Sequence, residues 1–520
     1  MFHRFLQLAK KAAFLRALAI AALTLAACAC GGSGRVIHVS VQANPSASWE
    51  YVVELEESLA TLDATVCFSG RPPPLLVAGS RRIARSVLRV EDRTPGHGGR
   101  ALAVRGSEID LSPLGDDGCV GYVVDLRSAS RTSGHGALDR NGAVVLSAAS
   151  WLLRPSPRVA GARGTIRFRA SGDVRISVPW TAQGEGYRLD EGAFRFLAYT
   201  AFGRLETFDV SVPGGTLEVA RIPGELDLGR AELARYLSAC GAAAAGMYGR
   251  FPVERAQVIV VPVGSGSGGM AFGQVGRGGG ASILLLMHSN ATLDDLAADW
   301  VTVHEFSHLT MPVVARDDAW LSEGTATYYQ EVLRARAGLQ TPLEAWRAID
   351  DGFRRGEAGG TGRSLAEESR DVHQTYAFTR VYWAGTAIAL LADVELRRRA
   401  GPVASLDAAM ERLASCCAGS TRTWSAAAIA RTIDGLAGAD VLGQLMTRHL
   451  PSTEIPDVTE VYRVLGLARG ADGLLVFDDE APGASIRDAI MAPVQTPASK
   501  VSPGLPRGRA GGAWGGPRRW

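Results

Sequence analysis

The chain has 520 residues, 47% of them apolar and 21% charged, with a formal net charge of +2. That length is more than one ordinary core serves, so two or three domains are expected, and the composition excludes a chain disordered throughout. Charge is nearly balanced and the arginines are scattered rather than gathered into a stripe, which gives no case for a nucleic-acid partner.

The N-terminus opens with basic residues, Arg4, Lys10, Lys11 and Arg16, followed by an apolar run from Ala17 to Ala27. The run is too short to cross a bilayer as a helix and suits a signal segment. Leu25-Ala26-Ala27-Cys28 resembles the bacterial lipobox. That resemblance implies a signal peptide over 1–27, a lipid on Cys28 that anchors the chain to the membrane, and a flexible tether over 28–34. Ala29 after the cysteine implies the outer membrane where the cell has one. Ordinary cleavage near Ala27 is the alternative. No second long apolar run follows, so the remainder is expected to be soluble and outside the cytoplasm. Export permits disulfides, and Cys67 with Cys119 is the expected pair. Adjacent Cys416 and Cys417 are not expected to bond each other, and no CxxC spacing supports a cysteine-held metal.

Residues 35–225 read as β. Ile166–Arg169 and Val174–Val178 both alternate around Ser171-Gly172-Asp173, which predicts a hairpin, and Pro213-Gly214-Gly215 predicts another between Phe208–Val212 and Thr216–Val219. A β-sandwich-like N-terminal domain is the expectation. From about residue 226 the character changes: a helical pattern around Leu233, Tyr236, Leu237 and Cys240 leads to an apolar strand at Val258–Val261. A glycine-rich loop is expected from Gly264 to Gly280, then a second apolar strand, Ile283–Met287. Beyond it the chain is mostly helical to about Leu467, with a polar loop near Gly352–Arg370. The division expected is a catalytic α+β domain over 226–400, a helical region over 401–475 and a disordered tail over 476–520.

Chemistry gathers between Thr292 and Tyr329. Thr292 and Asp295 form a capping-box pattern, after which Leu296, Trp300, His304 and His308 recur every fourth residue along one helix face. Two imidazoles one turn apart can grip one ion, with Glu305 beside them, and Pro312 ends the helix. His-Glu-x-x-His alone arises by chance often enough to be a fallible signal. The next segment adds to it: Asp317-Asp318 can cap a second helix running to Ala337 and stopping at Gly338. A short polar connection makes the two helices antiparallel, so Glu323 can reach the ion. Two histidines and one carboxylate leave a fourth position for water, the ligand set of a catalytic Zn2+.

HEFSH followed by WLSEGTATYYQE resembles the gluzincin zinc metallopeptidases, and specifically the glycyl aminopeptidase family. Val178-Pro179-Trp180 resembles the end of that family's β domain, Tyr382-Trp383-Ala384-Gly385 its Tyr-x-Lys-Gly segment, and Leu406–Leu413 and Leu442–Leu467 its C-terminal helices. The resemblance runs from about residue 165 to 470. It implies a multidomain α+β fold with a thermolysin-like catalytic domain and a zinc-dependent peptidase acting on peptide or protein substrates. His304, His308 and Glu323 would hold the metal, Glu305 would be general base and acid, and Tyr382, in preference to Tyr376, would stabilise the oxyanion. Two departures bear on activity. Ala384 replaces the family's lysine, and Gly268-Gly269-Met270-Ala271 carries Ala271 where aminopeptidases have the glutamate that grips a free amine. An unpaired ammonium is costly, which argues against simple aminopeptidase action; the backbone of Gly268–Ala271 could still pair with an extended substrate. The alternative reading is a weakened or inactive peptidase-like lipoprotein that serves as a binding module in the envelope, and a weaker one makes the β domain a binder of envelope polymers. Gly264-x-Gly266-x-x-Gly269 matches a dinucleotide fingerprint but is expected to open onto a strand, not a helix. His288 and His373 are read as structural.

Overall fold

The computed structural model describes residues 48–493, apart from 98, 133–137, 158–162, 400, 402 and 420–421. The signal segment, Cys28, the tether and the tail beyond 493 lie outside the described residues. Among the described residues no helix is long and apolar enough to cross a membrane.

The architecture is multidomain α+β. Its N-terminal part is built on a seven-stranded sheet in the order Ala182–Gln183, Gly186–Leu189, Arg163–Ala170, Ser48–Leu55, Thr61–Ser69, Cys119–Asp125, Val87–Asp92, with two four-stranded sheets beside it. Ser48–Leu55 and Thr61–Ser69 alternate buried and partly exposed positions, the pattern of strands with one face in the core. That core gathers Trp151, Phe168, Trp180 and Phe202, with Trp151–Phe202 centroids 5.6 Å apart. Cys67 and Cys119 stand opposite each other on neighbouring strands and are bonded, as expected. The hairpin expected at 166–178 does not form. Arg163–Ala170 lies between Ser48–Leu55 and Gly186–Leu189, whereas Arg175–Ser177 pairs with Tyr199–Gly203 in a different sheet. The turn is present, but it passes the chain from one sheet to another, a choice that local alternation does not encode.

A five-stranded sheet follows in the order Glu206–Val212, Gly215–Arg221, Arg255–Val263, Ala281–His288, Met270–Gly276. The second predicted hairpin is its first two strands, with Val212 opposite Gly215. Those strands belong to this five-stranded sheet although they precede residue 226. Val258, Val260, Ile283 and Leu285 face the helices, while Ile259, Val261 and Leu284 face Val145, Tyr199 and Ala201 of the β domain. Burial on both faces explains why these strands read as unbroken apolar runs.

Four further expectations are corrected. The glycine-rich stretch 264–280 contains a strand, Met270–Gly276, antiparallel at the sheet edge, whose small residues concealed it. The helices Pro342–Ala358 and Leu365–Thr375 leave a loop narrower than expected between them. Part of the segment expected to be disordered is folded. Leu475–Phe477 is a strand and Ala484–Met491 a helix with Ile490 and Met491 buried, pinned where Arg336 Nε donates to the Ile490 carbonyl at 2.9 Å. Flanking Gly and Pro had masked its apolar spacing. Cys416 and Cys417, not expected to bond, are joined at the end of the helix Leu406–Cys417.

Candidate metal centre

The stretch from Thr292 to His308 is not one helix. Leu293–Ala298 is a short helix capped by the expected Thr292–Asp295 box, and it stops at Asp299, whose backbone is extended. A second helix, Val301–Ser307, restarts where Asp299 Oδ1 accepts the Val301 N–H at 2.7 Å. Its other oxygen accepts the Met270 N–H at 3.0 Å, so one carboxylate both breaks the helix and ties it to the edge strand. Burial pushes the Asp299 carboxyl up to about 6 against the pull of those two amides.

His304 is in the restarted helix and His308 at its end; both are buried. The helix Ala319–Arg336 supplies Glu323 and ends as expected, with Gly338 at φ +73°. Its expected acidic cap is not made: Asp318 instead accepts the Ala426 N–H at 2.8 Å. Glu323 Oε2 stands 3.3 Å from His304 Nε2 and 3.5 Å from His308 Nε2. A tetrahedral zinc with bonds of about 2.1 Å separates its ligand atoms by roughly 3.4 Å, so this donor set fits the ion without rearrangement. The other ring nitrogens are already engaged. His304 Nδ1 lies 2.9 Å from Gln330 Oε1, and His308 Nδ1 lies 3.3 Å from the Ser322 hydroxyl. Gln330 Nε2 donates to Glu331 at 2.9 Å, which orients its oxygen toward His304 and leaves Nε2 of that ring to face the ion.

Two glycines set the approach of Glu323 to Tyr382. A Cβ on Gly385 would lie 1.9 Å from the Trp320 carbonyl oxygen, and one on Gly324 would lie 2.4 Å from Gly385 Cα. Only bare backbone lets the helices Ala319–Arg336 and Phe378–Arg398 meet so closely. Tyr382 then stacks over His304, centroids 6.1 Å apart and rings 11° from parallel. Burial holds its phenol well above the ordinary value, with Glu323 and Glu305 adding to the effect and Glu323 within hydrogen-bond reach of the hydroxyl. Ala384, at the position of the family's lysine, is fully buried among the helices.

Glu305 is buried beside the ligands, and burial pushes its carboxyl up to about 7, with His304 opposing and Glu323 adding. The edge strand passes close to it: a Cβ on Gly273 would come within 2.8 Å of Glu305 Cγ. For Glu323, burial raises the carboxyl, but the two imidazoles outweigh burial and hold it well below the carboxylate range.

Gly268, Gly269, Met270 and Ala271 lead into that edge strand. The register with Ala281–His288 shifts between Met270 and Phe272, so Ala271 sits at a bulge, a device that re-aims backbone next to binding sites. His288 Nδ1 lies 3.0 Å from the Gly264 carbonyl, a structural role, and the loop leads to a strand rather than a helix, which removes the dinucleotide reading. His373 is exposed at the end of its helix. Sequence reading had missed Gln330, Asp299 and Gly273. Gln330 follows Glu323 by two helical turns on the same face, a spacing that could have singled it out.

No protein-family model matches the chain, and no curated protein matches it. Among solved structures it is similar to an aminopeptidase N family protein from Idiomarina loihiensis, at 14% identity and a TM-score of 0.60, over 84% of this chain and 82% of that one. It is also similar to an M1 zinc metallopeptidase from Deinococcus radiodurans, at 17% identity and a TM-score of 0.48, over 79% of this chain and 94% of that one. The first likeness is one of fold.

Proposed function

We propose that this chain is a zinc-dependent peptidase. The observation that carries the reading is the convergence of two imidazole Nε2 atoms on one Glu323 oxygen at 3.3 and 3.5 Å. When bound there, zinc supplies Lewis acidity to a carbonyl and acidifies water. Glu305, which is not a ligand, takes the proton from the attacking water and returns it to the departing amine. The Tyr382 hydroxyl donates a hydrogen bond to the oxygen on which negative charge develops. The backbone of Gly268–Ala271 receives the substrate as an added strand at the sheet edge. Ala271 brings no carboxylate to a free amine, which favours internal bonds over N-terminal ones.

The test is Glu305→Gln. Bound zinc should be retained, while turnover of a blocked peptide falls by roughly a hundredfold or more. Parental turnover in that variant would overturn the reading. A screen of peptides with free and blocked N-termini separates the two modes: cleavage of free amines alone would mean that another group replaces the missing glutamate.

We further propose export and a lipid anchor at Cys28. The Cys67–Cys119 disulfide supports an oxidising compartment. Incorporation of labelled palmitate, lost on Cys28→Ser, is the expected result.

A further inference from the structure

Cys416 and Cys417 are neighbours in the chain and are bonded to each other. A disulfide stabilises a fold chiefly by closing a long loop in the unfolded chain. Cys67–Cys119 does so, across 52 residues and between two strands of one sheet. The bond between Cys416 and Cys417 closes almost no loop, so chain entropy gives it next to no structural purpose. Its placement opposes it as well. Both residues belong to the last turn of the helix Leu406–Cys417, where the Ala418 N–H still donates to the Ala414 carbonyl at 3.2 Å. Successive side chains on a helix diverge by about 100°. The bond and the turn that carries it therefore compete, whereas two thiols fit that turn without conflict.

The geometry also accommodates the reduced pair. Cys416 Sγ lies 3.3 Å from the Leu413 carbonyl oxygen. A disulfide sulfur has no proton to place there; a thiol has one and bonds back onto its own helix. Cys416 is exposed, while Cys417 is half-buried and packs against the helical core. An incoming thiolate therefore meets Cys416 first.

A short stretch, 418–423, separates the pair from Trp424. The Trp424 N–H donates to the Val313 carbonyl at 2.8 Å, and its own carbonyl accepts the Ala315 N–H at 2.7 Å. The Ala426 N–H donates to Asp318 at 2.8 Å. Val313–Asp318 is the connection between His308 and the helix that brings Glu323, so a change at the end of Leu406–Cys417 is carried by the chain to the segment joining the two ligand-bearing elements.

We propose that Cys416–Cys417 is a thiol–disulfide exchange site for a partner dithiol, its state transmitted through Trp424 to Val313–Asp318. A thiolate of the dithiol attacks Cys416 Sγ, the bond between the cysteines breaks, and Cys417 leaves as a thiolate and takes a proton. The partner's second thiol then attacks the partner sulfur of the mixed disulfide and releases Cys416. Two electrons and two protons pass to this chain, and the partner departs as its disulfide. The site stands whether or not the metal centre is that of a peptidase.

The experiment titrates the full chain with dithiothreitol and maps thiols by alkylation and mass spectrometry. Cys416 and Cys417 should become labelled at a roughly tenfold lower reductant concentration than Cys67 and Cys119. Cys240 reports on the fold: burial pushes its thiol up to about 12, so it stays unlabelled while the chain is native. At a reductant level that opens only the adjacent pair, hydrogen exchange should quicken in Val313–Asp318. The double variant Cys416→Ser, Cys417→Ser should show the same rates without reductant. Reduction of both disulfides at one concentration, or free thiols at 416 and 417 in protein prepared without reductant, overturns the exchange site. Selective reduction that leaves exchange in Val313–Asp318 unmoved overturns the transmission.

Discussion

At the scale of single residues, the centre depends on groups that never touch the ion. Gln330 is buried, and its amide is oriented by Glu331, which in turn pairs with Arg334 at 3.3 Å. Replacing it with an isosteric apolar side chain leaves His304 Nδ1–H without an acceptor and its ring free to turn. Gln330→Leu should weaken zinc binding by about 10–100-fold, read by competition with a chromophoric chelator; unchanged affinity would show that packing alone holds the ring. Asp299 has a consequence that depends on pH. Its folded pKa of about 6 lies above the ordinary carboxylate value, so between about 4 and 6 the folded chain holds a proton that the unfolded chain has lost. Stability from this site therefore falls as pH rises through that window, by about 3 kcal/mol, and stays lowered above it. Asp299→Asn cannot ionise. Its stability relative to the parent should rise from pH 4 to 6, as followed by urea midpoints at each pH, and parallel curves would remove Asp299 from the account.

At the scale of elements, the helix pair around Gly324 and Gly385 does the positioning. A methyl group on Gly385 has no room against the Trp320 carbonyl, so Gly385→Ala must push apart the helices that carry Glu323 and Tyr382. A loss of about 1–3 kcal/mol is expected in thermal unfolding, together with weaker zinc retention, since the ligand sits beside the wedge. A stability loss with zinc affinity intact would separate the crossing from the centre. Much of this level was legible in the sequence. The spacing of His304 and His308, the second helix with Glu323 and its stop at Gly338 follow from 3.6-residue periodicity and local capping. What was not legible is tertiary. The break at Asp299 needs Met270 from a distant strand, and Asp318 is diverted from its own helix by Ala426. The edge strand was hidden because its glycines clear close neighbours, Gly273 against Val301 and Glu305 and Gly276 against Leu197, rather than make a loop. The false hairpin at 166–178 failed for a related reason: alternation reports a half-buried strand but not which sheet it joins.

At the scale of the whole molecule, the β domain is the backing of the site rather than a module beside it. Trp180 donates from its indole nitrogen to the Gly278 carbonyl at 3.0 Å, and Arg255 of the five-stranded sheet donates to the Trp180 carbonyl at 2.9 Å. The turn between the edge strand and its neighbour is seated just as closely: a Cβ on Gly280 would lie 1.9 Å from the Pro179 oxygen. Behind the edge strand, the Tyr199 hydroxyl donates to Gln274, and the Tyr199 N–H donates to Ser282 at 3.1 Å. A lesion on the β side should therefore be felt in the edge strand Met270–Gly276. Trp180 is fully buried, so Trp180→Ala should cost about 3–5 kcal/mol, and the cavity opens directly beneath the turn at Gly278–Gly280. Hydrogen exchange should show protection falling in Met270–His288 as well as around Trp151 and Phe202, with zinc affinity reduced in step. If exchange rose only in the β domain while Met270–His288 and zinc binding held, the two parts would be independent, and the β domain would need a purpose of its own. Coupled loss would mean instead that residues before Glu206 are part of the scaffold of the metal centre, because the strand that carries Gly273 past Glu305 keeps its place only while the β domain is folded behind it.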